Sequence, residues 1–136
     1  MIVVDANVAL AWVLQDTDEH RLYSAGIAEL GHNGAEDLIA PSVLIGEVAY
    51  VLLRRGRDLR WGAARVAEMA EIIDLFQVRL VEIAQPVATM VRFATRHNVS
   101  GFDAFYLALA MSAGARLATL DRGLRAAARN AGVGLA

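Results

Sequence analysis

Short apolar runs that alternate with longer helix-like segments constrain the fold of this chain more than any other feature. The apolar runs predict strands over residues 1–4, 38–40, 79–83 and 116–120. Strands that alternate with helices are typical of a parallel sheet covered by helices on both faces. We therefore predict an α/β fold, a three-layer α/β/α sandwich with a short central parallel β-sheet. The length of 136 residues favours a single domain over 1–136.

The segments between these strands have helical composition and are separated by polar, glycine-containing or proline-containing stretches. The pattern predicts helices over residues 6–14, 20–32, 42–54, 63–75, 86–97, 100–111 and 122–130, and a short edge strand over 132–135. The polar segment 15–19 and the basic segment 54–62 are predicted to be a break and a turn. Ser42 is expected to cap the third helix, and Ser100 and Asp103 have the spacing of a capping box.

The composition excludes several classes of mechanism. The chain has no cysteine, which rules out disulfides, thiolate metal sites and thiol nucleophiles, and all 13 of its basic residues are arginine. The absence of lysine removes a Walker A phosphate clamp, a Schiff base and a Ser–Lys pair. The net charge of −2 provides no overall basic surface for nucleic acid. This does not exclude a metal-dependent nuclease, because the site of such an enzyme must itself be acidic.

The hydrophobic pattern argues against a membrane protein. No apolar run reaches the roughly 18 to 20 residues that a membrane-spanning helix needs. The first residues lack the basic segment of a signal peptide, and an aspartate interrupts the apolar run at position 5. We therefore expect a soluble, cytoplasmic protein.

Two aspartates directly follow predicted strands. Asp5 comes after IVV and Asp121 comes after LATL, and the carboxyl ends of strands are the usual place for a site on a parallel sheet. Asn7 could hydrogen-bond the first carboxylate or a bound water, and Thr119 provides a hydroxyl close to the second. Both aspartates also precede helices, so each could serve only as an N-cap.

Two further acids lie in helical segments. Glu47 has largely apolar neighbours at helical spacing, and a buried glutamate is seldom left unpaired. It could instead belong to an exposed stripe with Arg54. Asp103 precedes the apolar run AFYLALA, and helix capping would use only part of the acceptor capacity of its carboxylate. Capping and ligand binding therefore both remain open for Asp103.

The four acids predict a metal site if the fold brings them together. Carboxylates at one edge of a sheet would repel each other and raise each other's pKa values, unless a cation neutralised them. Oxygen ligands without cysteine or an evident histidine pair select a hard ion, Mg²⁺ or Mn²⁺.

The same acids lie in stretches that resemble a known family. The matching stretches are VVDANVALAWVL, PSVLIGEVAYVLLR, VSGFDAFYLALA and LATLDRGL, which span almost the whole chain. In these stretches the chain resembles PIN-domain ribonucleases, and in length and order it is similar to the VapC toxins of type II (VapBC) toxin–antitoxin modules. The last two stretches are the most specific, because they combine an aspartate before an apolar helix with a strand that ends in Thr-x-Asp.

The resemblance implies a set of acids that are both catalytic and metal-binding. On the matching motifs these acids are Asp5, Glu47, Asp103 and Asp121. Thr119 corresponds to a supporting hydroxyl. Asn7 is a mild departure, because the family often has Ser or Thr at this position, although an amide can still orient a ligand or a water.

The resemblance also implies an activity and partners. The expected activity is that of an endoribonuclease that depends on Mg²⁺ or Mn²⁺ and cleaves RNA with a metal-activated water, leaving a 5′-phosphate and a 3′-hydroxyl. This reaction needs no histidine pair, and we interpret the three histidines as surface or packing residues. The resemblance further implies a homodimer, and a VapB-like antitoxin that blocks the RNA groove and so inhibits the toxin.

Local arginines are the candidate contacts to RNA. The last helix offers Arg122 and Arg125, and the basic segment 54–62 offers further arginines. Phosphate contacts make binding salt-dependent. For the antitoxin, the surfaces of the first helices and of 42–54 are candidate docking sites, with Trp12 and Tyr50 as candidate contacts.

Other classes of protein place acids at strand ends. A receiver domain needs a lysine near its phosphoacceptor, and a haloacid-dehalogenase-like phosphatase needs Asp-x-Asp after the first strand and a later lysine. The chain has no lysine, and its first motif is Asp5-x-Asn7. The remaining alternative is a PIN-fold protein that binds nucleic acid without cleaving it, or a nuclease directed at another substrate.

Overall fold

A four-stranded parallel sheet, flanked by helices, forms the centre of the protein; the computed structural model describes residues 1–14 and 17–136. The strands are β1 (Ile2–Val4), β2 (Leu38–Pro41), β3 (Arg79–Val81) and β4 (Arg116–Ala118). The helices are α1 (Ala6–Ala11), α2 (Asp18–His32), α3 (Val43–Asp58), α4 (Ala63–Asp74), α5 (Val87–His97), α6 (Asp103–Ala113) and α7 (Arg122–Asn130). The strand order is β3-β2-β1-β4 with parallel pairing, which confirms the predicted α/β fold.

The first strand lies at the centre of the sheet. It pairs with β2 on one side and with β4 on the other, and Ile2, Val3 and Val4 are completely buried. A strand that is covered on both faces has to be apolar throughout, which explains why IVV shows no polar alternation. Full burial of each aliphatic side chain contributes about 1.5–3 kcal/mol, so β1 is a major source of stability.

The register between β1 and β4 brings two polar residues together. Val4 pairs with Ala118, and the Asp5 amide donates a hydrogen bond to the Ala118 carbonyl oxygen at 3.0 Å. Because the two strands are parallel, both leave the sheet at the same edge. Asp5 and Thr119, which directly follow the strands, therefore meet at this edge although 114 residues separate them in sequence.

Helix α6 is buried along most of its length and packs against β1 and β2. Its buried residues are Ala104, Tyr106, Leu107, Leu109 and Ala110. Burial on several sides explains why the run AFYLALA is apolar nearly all round instead of amphipathic. The packing of this helix also fixes the position of Asp103, its first residue, relative to the sheet.

Helices α3 and α4 pack closely as consecutive helices. At Gly56 there is no room for a side chain, since a Cβ atom would be 2.6 Å from Cγ2 of Val66. A side chain at position 56 would therefore force the two helices apart. Further along α3, Leu44, Val48 and Leu52 are buried and attach the helix to the core.

The ends of the first three helices differ from the prediction. Helix α1 ends at Ala11 instead of residue 14, because the chain turns at residues 12–13. Helix α2 begins at Asp18, so the predicted break over 15–19 is too long; its residues Gln15 and Asp16 lie outside the described part of the chain. Helix α3 continues to Asp58, so the turn predicted over 54–62 is wrong for its first half. Within residues 1–14 and 17–136, no helix is long and apolar enough to cross a membrane.

Two of the predicted caps are wrong. Ser42 stands at the N-cap position of α3, but its side chain makes no capping hydrogen bond. Helix α6 begins at Asp103, three residues later than predicted, and Asp103 donates its amide to the Ser100 carbonyl oxygen in a backbone contact. The intervening Gly101 has a left-handed φ of +52°, which breaks the helical geometry that a capping box at Ser100 would require.

The strands are also slightly different from their predicted extents. Strand β2 includes Pro41, which pairs with Val81, and β3 ends at Val81 instead of residue 83. Strand β4 ends at Ala118 instead of residue 120, because the next two residues make hydrogen bonds to side chains near the start of α1. The edge strand predicted over 132–135 is reduced to a single parallel bridge that joins Leu135 to Leu117.

Candidate active site

Asp5 is held at the carboxyl end of β1 by two side chains. It is only 4% exposed, and its Oδ2 atom accepts hydrogen bonds from Asn7 Nδ2 at 2.6 Å and from Thr119 Oγ1 at 2.5 Å. Asp5 occupies the N-cap position of α1, but its carboxylate makes no capping hydrogen bond. Helix capping therefore does not explain this buried carboxylate.

The two partners of Asp5 are themselves fixed by the backbone after β4. The Oδ1 atom of Asn7 accepts a hydrogen bond from the Leu120 amide at 2.9 Å. The hydroxyl of Thr119 accepts one from the Asp121 amide at 3.0 Å while it donates to Asp5. These contacts join the start of α1 to the segment between β4 and α7, so the orientation of the Asp5 carboxylate is determined by residues from both ends of the sequence.

Asp121 caps helix α7, as its position suggested. Its Oδ1 atom accepts a hydrogen bond from the Leu124 amide at 2.7 Å. The cap depends on a glycine, since a Cβ atom at position 123 would lie 3.1 Å from the same oxygen. Because one capping bond uses only part of the acceptor capacity of a carboxylate, Asp121 remains able to bind a ligand.

Glu47 lies in the second turn of α3 and is paired with a tyrosine. Its Oε2 atom accepts a hydrogen bond from the hydroxyl of Tyr106 at 2.5 Å. Tyr106 is fully buried in α6, one helical turn after Asp103. The expectation that Glu47 would not remain unpaired is therefore met by a partner on a different helix.

The environment of Asp5 favours its protonated form. Burial raises the pKa of Asp5 to about 7, although the hydrogen bond from Thr119 opposes this change. The negative charges of Asp103 and Glu47 also contribute to this rise in the pKa of Asp5. Three of the four acids are thus close enough to act on one another electrostatically.

The other acids show the same repulsion. Burial raises the pKa of Glu47; the hydrogen bond from Tyr106 opposes the rise and the charge of Asp103 adds to it. Burial also raises the pKa of Asp103, and the charge of Asp121 raises it further. All four predicted acids therefore lie in one electrostatically coupled region at the carboxyl edge of the sheet.

The chemistry of these groups fits a hard cation. Oxygen-only ligands with pKa values raised by burial and by the neighbouring charges are the groups that Mg²⁺ or Mn²⁺ would stabilise in their charged form. Among the residues that the structure describes, however, no three acidic or histidine side chains already have the arrangement of a metal site. The donors are suitable, but they do not form a closed cage.

The two arginines predicted to contact RNA have different surroundings. Arg122 is exposed at the first residue of α7, directly after Asp121. Arg125 is half-buried, and its guanidinium carbon lies 5.5 Å from the centre of the Tyr23 ring. Both remain candidates, and Arg122 is the one presented to solvent beside the acidic region.

The two candidate contacts for an antitoxin also differ. Trp12 is half-buried, stacks on Phe76 with ring centres 4.3 Å apart and donates its indole N–H to the Ser24 carbonyl oxygen. It is therefore a packing residue in the free protein. Tyr50 is 61% exposed on α3 and remains a candidate contact for an antitoxin.

Tyr106 is the residue of this region that the sequence did not reveal. A tyrosine inside an apolar, alanine-rich helix is predicted to be a core residue, and the Tyr106 ring does lie in the core. Its hydroxyl, however, needs a hydrogen-bond partner when it is buried. This requirement, together with its position one turn after Asp103, is the signal that could have identified it.

The chain belongs to the PIN-domain family, since the family model of the PIN domain matches residues 2–130. Among its relatives are the VapC ribonuclease Mb0985 of Mycobacterium bovis and Ribonuclease VapC9 of Mycobacterium tuberculosis. Each is 32% identical to this chain over 123 residues, covering 89% of the chain and 86% of the relative. The resemblance to VapC ribonucleases is therefore confirmed.

Solved structures agree with this assignment. PAE2754 from Pyrobaculum aerophilum superimposes with a TM-score of 0.70 at 22% identity, over 93% of this chain and 78% of that one. FitAcB from Neisseria gonorrhoeae gives a TM-score of 0.65 at 21% identity, over 99% of this chain and 96% of that one. Both comparisons support the α/β fold described above.

Proposed function

We propose that this protein is a metal-dependent endoribonuclease and the toxin of a toxin–antitoxin pair. The observation that carries the proposal is the buried carboxylate of Asp5, which two side-chain hydrogen bonds hold at the carboxyl end of β1. Glu47 and Asp103 lie near enough to influence this carboxylate electrostatically. Like charges gathered in a partly buried region cost stability, so they are expected where they serve a ligand. Relatives named as VapC ribonucleases support RNA as the substrate.

A divalent cation would be held by the carboxylates of this edge. The residues that we expect to bind Mg²⁺ or Mn²⁺ are Asp5, Glu47, Asp103 and Asp121. Because Mg²⁺ keeps several water ligands and binds through one or two carboxylates, the protein does not need three converging side chains before the ion arrives. When bound, such an ion lowers the pKa of a water for attack on phosphorus and stabilises charge on the phosphoryl oxygens.

The network around Asp5 determines which of its oxygens can meet a ligand. Asn7 and Thr119 both donate to Oδ2, and no side chain in the described part of the chain donates to Oδ1. Oδ1 is therefore the oxygen that we expect to face the cation. The two donors prevent the carboxylate from rotating, so they keep this oxygen in place.

The contacts to RNA should come from arginine alone, since the chain contains no lysine. Arg122 is exposed directly after Asp121, where it could bind a phosphate next to the acidic region. Each phosphate contact of this kind releases counterions, so RNA affinity is expected to fall steeply as salt increases.

The antitoxin is expected to dock on helix α3. An apolar groove of about 280 Å³ lies between α3, α4 and β3, and its lining includes Ile45 and Leu80. Ile45 is 59% exposed, and Tyr50 and Leu53 on the same helix are exposed to a similar degree. A surface of this kind suits the apolar side of a partner helix.

Helix α5 provides a surface for the proposed homodimer. It has an apolar face, yet none of its residues is buried. Val87 and Val91 are exposed, as is Phe102 just before α6. Burial of these side chains against a second copy of the chain would remove the apolar face from water.

The central experiment is an RNA cleavage assay with substitutions that preserve shape. Asp5→Asn and Asp103→Asn should each abolish cleavage of single-stranded RNA in Mg²⁺ while circular dichroism and thermal unfolding show a folded protein. Asp37→Asn is the matched control, because Asp37 is an exposed aspartate at the opposite, amino end of the sheet, where it should not influence cleavage.

Two results would reject this function. Full activity of either site variant, or cleavage that persists in excess EDTA, would show that the acids and a divalent cation are not required. If the wild-type protein binds RNA with salt-dependent affinity but never cleaves it, the protein is the non-catalytic PIN-fold alternative.

A further inference from the structure

The hydroxyl of Tyr106 joins the two helices that carry the middle acids of the site. Asp103 is the first residue of α6, and Tyr106 follows one turn later on the same helix. The Tyr106 hydroxyl reaches across to the Oε2 atom of Glu47 on α3 at 2.5 Å. The two helices that carry Glu47 and Asp103 are thus linked by one hydrogen bond.

The tyrosine is a rigid support for this contact. Its side chain is 0% exposed, and the ring belongs to the main hydrophobic core with residues of β1 and α6. A close-packed core holds a side chain in a single orientation, so the hydroxyl has a defined position. A phenol has a pKa of about 10 and is protonated at neutral pH, so the hydroxyl acts as the donor to the Glu47 carboxylate.

Glu47 without this partner would be a poorly placed ligand. It is a half-buried side chain on an outer helix, and a glutamate has three rotatable bonds. A hydrogen bond to a charged carboxylate is short and about twice as strong as one between neutral groups. It uses one acceptor position of Oε2, so most of the carboxylate remains available to a ligand.

We propose that Tyr106 is a positioning residue that holds the Glu47 carboxylate in place for a divalent cation. The inference deepens the proposed function and rests on it, since it assigns the support of one of the expected ligands. Tyr106 does not itself touch the cation or the RNA; it acts through Glu47.

The test is a double-mutant cycle between Tyr106→Phe and Glu47→Ala. Tyr106→Phe keeps the ring in the core and removes only the hydroxyl. By analogy with other groups that orient a metal ligand, we expect its kcat and its Mn²⁺ affinity to fall by about 10–100-fold. The KM for RNA should remain within about twofold, because binding of the rest of the substrate is unchanged. In the Glu47→Ala background, which has no acceptor for the hydroxyl, adding Tyr106→Phe should not lower the Mn²⁺ affinity or any remaining cleavage further.

A matched control separates positioning from loss of stability. Ser112→Ala removes a hydroxyl hydrogen bond at the other end of α6 from Asp103, where Ser112 Oγ donates to the Leu109 carbonyl oxygen at 3.1 Å. It should leave cleavage and Mn²⁺ affinity unchanged. Unfolding of each variant in urea shows how much of any loss comes from the fold.

The outcomes distinguish this inference from the proposed function. Wild-type kcat and Mn²⁺ affinity in Tyr106→Phe would overturn the inference, and so would an equal loss in the presence and absence of the Glu47 carboxylate. If the wild-type protein cleaves no RNA, the proposed function fails. Calorimetric titration with Mn²⁺ alone still decides the role of Tyr106 in that case, since it needs no substrate: a fall in affinity that depends on Glu47 supports the role, and its absence overturns it.

Discussion

Removal of the charge at position 5 should stabilise the protein when no cation is present. Asp5 is almost fully buried, and its pKa is raised from 3.8 to about 7. The folded protein therefore binds this proton more tightly than the unfolded chain does. The resulting stabilisation is complete below about pH 4 and is lost as the pH rises through about 7.

The size of the effect follows from the shift in pKa. A change from 3.8 to about 7 is roughly three units, and each unit corresponds to about 1.4 kcal/mol. Ionisation of Asp5 should thus cost the folded state about 4 kcal/mol above pH 7. In Asp5→Asn the isosteric amide has no proton to lose, and its oxygen can still accept hydrogen bonds from Asn7 and Thr119.

The assay is urea unfolding in EDTA at several pH values between 4 and 8. The free energy of unfolding of Asp5→Asn should exceed that of the wild type, and the difference should grow with pH and level off above about pH 7. The difference also includes relief of the repulsion that ionised Asp5 exerts on Glu47 and Asp103, which acts in the same direction. Addition of Mg²⁺ at pH 8 should stabilise the wild type selectively.

A specific result would refute this reasoning. If the free energies of unfolding of the two proteins have the same dependence on pH, or if Asp5→Asn is the less stable at pH 8 in EDTA, then ionised Asp5 does not destabilise the free protein. Asp37→Asn, which changes an exposed aspartate, should follow the wild type at every pH.

Three further predictions address other parts of the structure. Thr119→Val should lower kcat for RNA cleavage about 10–100-fold, because the Asp5 carboxylate loses a hydrogen bond that orients it. A melting curve of the variant checks that it is folded, and wild-type activity would contradict the role of the hydroxyl. Gly56→Ala should destabilise the protein by about 1–3 kcal/mol in urea unfolding, because of the contact with Val66. Gly46→Ala in the same helix, where no atom lies within 4 Å of the new Cβ, should instead stabilise it by about 0.5–1 kcal/mol. Val91→Glu should convert the proposed dimer to a monomer in light scattering, whereas Thr89→Glu, an exposed position on the other side of α5, should not; a wild-type monomer would disprove the α5 interface.

The sequence predicts the sheet well because its signals are local and strong. The run IVV is apolar throughout, which is typical of a buried strand, and the alternation of strands with helices predicts a parallel sheet. The position of Asp5 and Asp121 at the carboxyl edge follows from the same reasoning. Asn7 could be predicted to hydrogen-bond either a carboxylate or a bound water, and in the structure it donates to Asp5.

The features that the sequence did not predict depend on contacts between distant segments. The end of β4 is set by the hydrogen bonds of Thr119 and Leu120 to side chains near the start of α1, which no local pattern encodes. The link between Tyr106 and Glu47 likewise spans 59 residues. The capping box predicted at Ser100 is wrong for a local reason, because Gly101 adopts a left-handed conformation that is incompatible with a helix starting there.

The contact between Asp5 and Thr119 has a consequence for the synthesis of the protein. The first acid emerges from the ribosome early, but its hydroxyl partner is 114 residues behind it. Until the segment with β4 has emerged, β1 lacks one of its neighbours and the acids have no common edge on which to meet. A nascent chain therefore has no assembled acidic site until β4 has emerged, so it cannot itself carry out the proposed cleavage before that point.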